Sequence, residues 1–382
     1  MAASSADSIV IVGAGIIGLD VALVLCKRGL GRCITVVAEY LPGDTAPSYT
    51  SPWAGCNFSG ISGGDANALR WDELGYAHLT NLATHHATES FVSLTQSMEY
   101  WDANPPHDKI NSMSEYLKDF KIIPRQLLPQ GVEYGICCTS VTVNAPKHLA
   151  YLHGLLKDHY GVRFLRQKLP GIQAAYASPR TKVVFNCTGN AARTLPGVQD
   201  AKCFPTRGQV VLARAPLMRC NVMRHGRDYE TYVIPRPQSN GNVILGGFMQ
   251  KGNRQVCSTV HSVSLFVLMM SHFFLGARSD PSTYGHEADS IISRTKDLCP
   301  RELRDGPCEM LAAFAGARPS RHGGARVERE PISVGGSDRV LVHNYGAGGS
   351  GFQAGYGMAL DAVACVDDVV KELEREVGRA KM

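Results

Sequence analysis

Lysine and arginine never gather into a run in this chain, and the formal net charge of +5 over 382 residues is modest. Both facts argue against a nucleic-acid or membrane-surface footprint. The twelve cysteines contain no CxxC pair and no His/Cys cluster at zinc spacing, which leaves no zinc module or redox pair to build on. Cys26, Cys187 and Cys365 sit in apolar contexts, the setting of buried free thiols; one disulfide stays open. Low-complexity tracts and solenoid-period repeats are absent. No basic stretch followed by an apolar run precedes the first strand, so no signal peptide is expected. What remains is 44% hydrophobic and 19% charged residues, enough for a globular core of two interleaved α/β domains.

The N-terminus carries the first positive signal. Ser8–Val12 (SIVIV) is a short apolar run suited to a buried parallel strand. Gly13, Ala14, Gly15, Ile16, Ile17 and Gly18 follow as GxGxxG, and Leu19–Leu30 reads as a helix. The glycines permit a tight turn, close approach of a pyrophosphate to backbone amides, and close packing of helix on strand. A second strand, Cys33–Ala38, ends at Glu39, where an acid binds ribose hydroxyls. This is a dinucleotide site in its required context; alone it does not separate NAD, NADP and FAD.

The second signal lies at Leu341–Ala359, LVHNYGAGGSGFQAGYGMA. A strand-like run (Arg339–His343) meets a turn with Gly346, Gly348, Gly349 and Gly351, then a helical run. Such a turn lets amides approach a ligand, and the following helix aims its positive end at it. The segment resembles the signature of the D-amino-acid oxidase family. Further segments in order support the resemblance: Ser51–Phe58 (SPWAGCNF), Val183–Gly189 (VVFNCTG), Arg207-Gly208-Gln209, Tyr232–Pro235 (YVIP) and Phe314–Pro319 (FAGARP).

The resemblance implies an α/β fold: a doubly wound FAD-binding Rossmann-like domain (1–60, 140–205, 325–382) interleaved with a mostly antiparallel substrate domain (61–139, 206–324). It implies FAD held by Gly13–Gly18, Glu39, Tyr40, Ala54, Gly55, Cys56, Leu169, Thr188, Gly348, Gly349, Ser350, Gly351, Phe352 and Gln353. It gives Arg318 the substrate α-carboxylate, which a planar guanidinium grips with two hydrogen bonds. Tyr232 donates to the same carboxylate, and the Gly349 carbonyl receives the amine. Tyr229 stands as a lid tyrosine in a lid over 216–229, Gln353 near flavin or amine, and Asn57 either lines the pocket or is structural. His343 reads as a packing residue. The implied chemistry is hydride transfer from the Cα of a D-amino acid to flavin N5, with O₂ reoxidising the flavin to give hydrogen peroxide, a 2-oxo acid and ammonia. Neutral side chains are the expected preference. A D-aspartate oxidase, with Arg236 as its extra cation, is the alternative within the fold; a non-catalytic flavin protein is the alternative outside it. A homodimer is compatible with the family.

Three local expectations complete the reading. Thr88 caps a helix bearing Phe91, Leu94, Met98 and Trp101 on one face. Met358–Val377 forms one long closing helix. Arg254–Ser279 is an apolar insertion the family does not account for: an added surface element, a lid, or a retained intron. Finally, Ala380-Lys381-Met382 resembles the peroxisomal address whose best-known form is Ser-Lys-Leu. With peroxide as a product, that implies a peroxisomal protein met by the import receptor.

Overall fold

The computed structural model describes residues 7–226, 229–247, 250–251 and 282–380. The apolar segment 254–279 and the terminal Lys381 and Met382 lie outside the described residues. The chain begins with β1 (Ile9–Val12), α1 (Ile16–Lys27), β2 (Ile34–Ala38), α2 (Ala66–His85), α3 (Ala87–Ser90), β3 (Val92–Trp101), α4 (His107–Tyr116), β4 (Lys118–Ile122) and β5 (Tyr134–Val143). It continues through α5 (Ala145–Gly154), β6 (Arg163–Arg166), β7 (Val183–Asn186), β8 (Cys203–Arg214), β9 (Asn221–His225), β10 (Glu230–Pro235), β11 (Asn242–Gly246) and β12 (Gln250–Lys251). It closes with α6 (Gly285–Leu298), β13 (Glu309–Arg321), β14 (Arg326–Val334), β15 (Ser337–Tyr345), α7 (Gly351–Ala364) and α8 (Asp367–Ala380).

Two sheets organise these elements. The first has the order β14-β15-β7-β1-β2-β6, parallel except for β14. Its strands alternate residue by residue, as a sheet covered on both faces requires. Ile9, Ile11, Val36, Phe185 and Val342 pack under α1, α5 and α7. Val10, Val12, Val37, Val184 and Leu341 face the other way, onto the short turns at Ile172–Ala175 and Leu195–Val198. The second sheet runs β12-β8-β11-β10-β9-β3-β5-β4, with β13 also on β8. It is antiparallel apart from the β3–β9 pair. The two sheets belong to one α/β fold, and the chain crosses between them repeatedly.

Three local expectations are corrected. Residues 92–101 form β3, not a helix: Leu94, Met98 and Trp101 fall at helical spacing, but Thr95, Ser97 and Glu99 are buried at strand spacing alongside Trp101 and pair with neighbouring strands. Within the expected lid over 216–229, residues Asn221–His225 are β9, hydrogen-bonded between β10 and β3, and not part of a lid. The closing helix is two helices, broken at Cys365–Val366, where Asp367 and Asp368 begin α8 with negative charge at its positive end.

The glycine turn after β1 shows why that motif exists. A Cβ on Gly13 would stand 2.4 Å from the Cys187 carbonyl oxygen, and one on Gly18 would stand 2.0 Å from that of Gly13. Backbone therefore meets backbone between β1, α1 and the end of β7.

Candidate active site

A cavity of about 890 Å³ opens between the two sheets. Its nucleotide side is lined by Gly13–Ile17, Glu39, Tyr40, Lys168 and Leu169. α1 has no capping side chain of its own; instead the Ser51 hydroxyl accepts from the Ile16 amide at 3.1 Å. Tyr49 donates to the Ala14 carbonyl at 2.6 Å. The 49–51 segment is thus fastened to the glycine turn, and Ala54, Gly55, Cys56 and Asn57 follow it along the cavity wall. Thr188, Gly348, Gly349, Gly351, Phe352 and Gln353 line it further.

The other side of the cavity belongs to the second sheet. Arg318 comes from β13, opposite Thr206 of β8. Neighbouring Ala317 is held through its carbonyl by Thr50 (2.8 Å) and Asn190 (2.7 Å). Arg318 passes over Gly208, the middle residue of the Arg-Gly-Gln segment: a Cβ there would lie 2.1 Å from Nη1. Tyr232, on β10, stands near enough to Arg318 for that charge to act on its phenol. Its ring lies over Gly246, where a Cβ would meet ring carbons at 2.1 Å. Burial raises the Tyr232 phenol above its usual pKa, and the Arg318 charge opposes that only in part. The hydroxyl therefore stays protonated and able to donate.

Behind this pair lies a buried ion pair. Arg207 Nη1 is 2.9 Å from Glu287 Oε2 on α6, and both side chains are almost wholly enclosed. Gln209 exchanges hydrogen bonds with the backbone of Tyr284, both at 2.8 Å. The Arg-Gly-Gln strand is locked to α6 on one face and carries Arg318 on the other.

A family model described as FAD dependent oxidoreductase matches residues 8–364. The chain is 42% identical over 359 residues to the D-amino-acid oxidase of Schizosaccharomyces pombe, an alignment covering 93% of this chain and 94% of that protein. The chain belongs to the D-amino-acid oxidase family. A D-aspartate oxidase of Cryptococcus neoformans var. grubii is 29% identical over 405 residues, with 94% and 96% of the two chains covered. Among solved structures, an L-proline dehydrogenase from P. horikoshii (TM-score 0.68, 13% identity, covering 95% and 94%) and a glycine oxidase from Geobacillus kaustophilus (0.65, 15%, 96% and 94%) share the fold.

The cofactor of this family is FAD, and the cavity fits it. Asn344 lines the cavity, is fully buried, and neither end of its amide has a partner among the described residues. Such a group costs about 1–3 kcal/mol unless a ligand meets it. The amides at the start of α1 and the Glu39 carboxylate supply donors and acceptors suited to a pyrophosphate and a ribose.

Not every expected residue of the oxidase site reaches the cavity. Gly18 and Ser350 are not lining residues; Gly18 packs on Gly13, and the Ser350 hydroxyl bonds Ala347 O at 2.8 Å. Tyr229 is also outside the lining, and its hydroxyl donates to Asp102. Gln353 does line the cavity, yet its amide is committed to Ser59, Ser62 and Asp72, at 2.8–3.2 Å. Asn57 lines it and donates to Met223 Sδ. His343 is held between Asn186 (3.1 Å) and Glu330 (2.9 Å), away from the cavity, and burial lowers its pKa. Sequence reasoning missed three residues here: Gly208 as the floor under Arg318, Asn344 as an orphaned amide, and Glu230 in the lining. The conflict of a buried amide with no partner is visible only in three dimensions.

Proposed function

We propose that this chain oxidises D-amino acids with neutral side chains to 2-oxo acids, ammonia and hydrogen peroxide. The reading is carried by one observation: Arg318 and Tyr232 converge in the same cavity as the glycine turns and Asn344. A guanidinium beside a neutral phenol grips an α-carboxylate with directional hydrogen bonds and fixes the Cα behind it. Gly349 lies beside the same arginine, since an added Cβ there would stand 3.7 Å from Arg318 Cδ; the amine of a clamped substrate faces this turn. Bound FAD would supply the two-electron redox chemistry, with O₂ as the final acceptor. The overall change balances as amino acid, O₂ and water giving 2-oxo acid, ammonium and peroxide.

Supplying D-alanine in air tests this. Pyruvate, ammonium and peroxide in equal amounts are expected, and none with L-alanine; no turnover of any D-amino acid by flavin-loaded protein would overturn the reading.

We infer a peroxisomal address from Ala380-Lys381-Met382, supported by its likeness to Ser-Lys-Leu and by the peroxide product. A fluorescent protein fused upstream should collect in peroxisomes, and deleting the three residues should disperse it.

A further inference from the structure

Among the described residues, four charged ones line the cavity: Glu39, Lys168, Glu230 and Arg318. Glu39 and Lys168 pair with each other at 3.0 Å on the nucleotide side. On the substrate side, Arg318 is directed to the α-carboxylate, which leaves Glu230 as the one described charge available to a substrate side chain. Glu230 and Tyr232 are two residues apart on β10, so their side chains share a face about 7 Å apart along the strand. That separation matches the reach from a clamped α-carboxylate to the end of a four- or five-carbon amino acid.

The Glu230 carboxylate is fixed in place. It stands opposite His225 in the β9–β10 register, with His225 Nδ1 2.8 Å from Glu230 Oε2. His225 Nε2 is 3.2 Å from Glu99 Oε2 on β3, and the imidazole stacks on Trp101 at 4.9 Å. The Glu99 carboxylate also accepts from the Gly60 amide at 3.0 Å. The three side chains across β3, β9 and β10 set two carboxyl groups against one imidazole, so acidic groups outnumber basic ones in the cluster. Arg294 donates to the Glu230 carbonyl, the Thr231 hydroxyl and the Gly247 carbonyl, and is not a lining residue. Arg236, the cation a side-chain carboxylate would need, is not a lining residue either.

We propose that Glu230 sets the side-chain specificity of the site, admitting neutral and cationic D-amino acids and rejecting acidic ones. This rests on the oxidase reading and names the residue that decides its substrate class. An incoming side-chain carboxylate meets a fixed carboxylate in a partly desolvated wall, and the described lining offers it no cation beyond Arg318 and the Glu39-paired Lys168; an amide or ammonium meets an acceptor.

The test compares isosteric pairs on flavin-loaded enzyme. In the wild type, kcat/KM for D-glutamine should exceed that for D-glutamate by about thirtyfold or more, and E230Q should cut the ratio by about tenfold. An acid/amide ratio unchanged by E230Q, with D-alanine still oxidised, would overturn the assignment and leave the oxidase reading standing. A wild type that oxidises no D-amino acid would overturn both. A binding measurement needs no variant: the unreactive glutaramate should perturb the flavin spectrum at lower concentration than glutarate, and equal affinities would contradict the proposal.

Discussion

Arg318 crosses the backbone of Gly208 so closely that a single methyl group there would stand 2.1 Å from its Nη1 atom. No rotamer adjustment of a few tenths of an ångström removes such a clash, so the guanidinium must leave its place. G208A is therefore expected to reduce kcat/KM nearly as far as removing the arginine does. The flavin spectrum should stay, because Gly208 sits on the substrate side. A G208A enzyme with wild-type kinetics would show that the arginine position does not matter.

Arg318 itself supplies two charge-assisted hydrogen bonds to the substrate carboxylate, together worth roughly 3–6 kcal/mol. R318L should lose about two to four decades of kcat/KM. Y232F removes one neutral donor, worth about 1 kcal/mol, and should cost roughly five- to tenfold, chiefly in KM. Steady-state kinetics with D-alanine separates the two.

Asn344 makes an opposite prediction for the two forms of the protein. Its buried amide has no hydrogen-bond partner among the described residues. N344L should raise the melting temperature of the apoprotein and weaken FAD by roughly tenfold or more. Thermal denaturation with and without added FAD reads both effects.

His225 gives a pH signature. Burial works against its charge, but its contacts with Glu230 and Glu99 outweigh that and raise its pKa to about 9. In the unfolded chain the value is about 6.5. The stabilisation is thus fully present below pH 6.5 and is lost as pH rises through 9. The difference in melting temperature between wild type and H225Q should be largest in acid and shrink across that window.

Much of this architecture is legible in the sequence, because it is written in glycines and apolar runs that only one backbone geometry tolerates. The turn at Gly13–Gly18, the β7 end at Thr188 and the turn before α7 follow from local chemistry. β3 is not legible. Its inward face carries Thr95, Ser97 and Glu99, each answered by a polar partner, while Leu94 is exposed. Polar residues at buried positions hide the strand alternation, and Leu94, Met98 and Trp101 imitate a helix. Glu230 is missed for a related reason. The residues that make its carboxylate part of a cluster, Glu99 and His225, lie on other strands, and nothing in the local sequence joins them. The break before α8 depends on packing around the buried Val366 and Val370, which periodicity averages over.

The central claim is that Arg318 and Tyr232 present a D-amino acid to FAD. The most direct measurement is anaerobic: the yellow, flavin-loaded protein is mixed with D-alanine and, separately, with L-alanine, and its visible absorbance is followed. The account predicts that D-alanine bleaches the flavin band rapidly in the wild type, that L-alanine does not, and that R318L retains the band without fast bleaching. A wild type whose flavin no D-amino acid bleaches, or an R318L that bleaches at the wild-type rate, would contradict it.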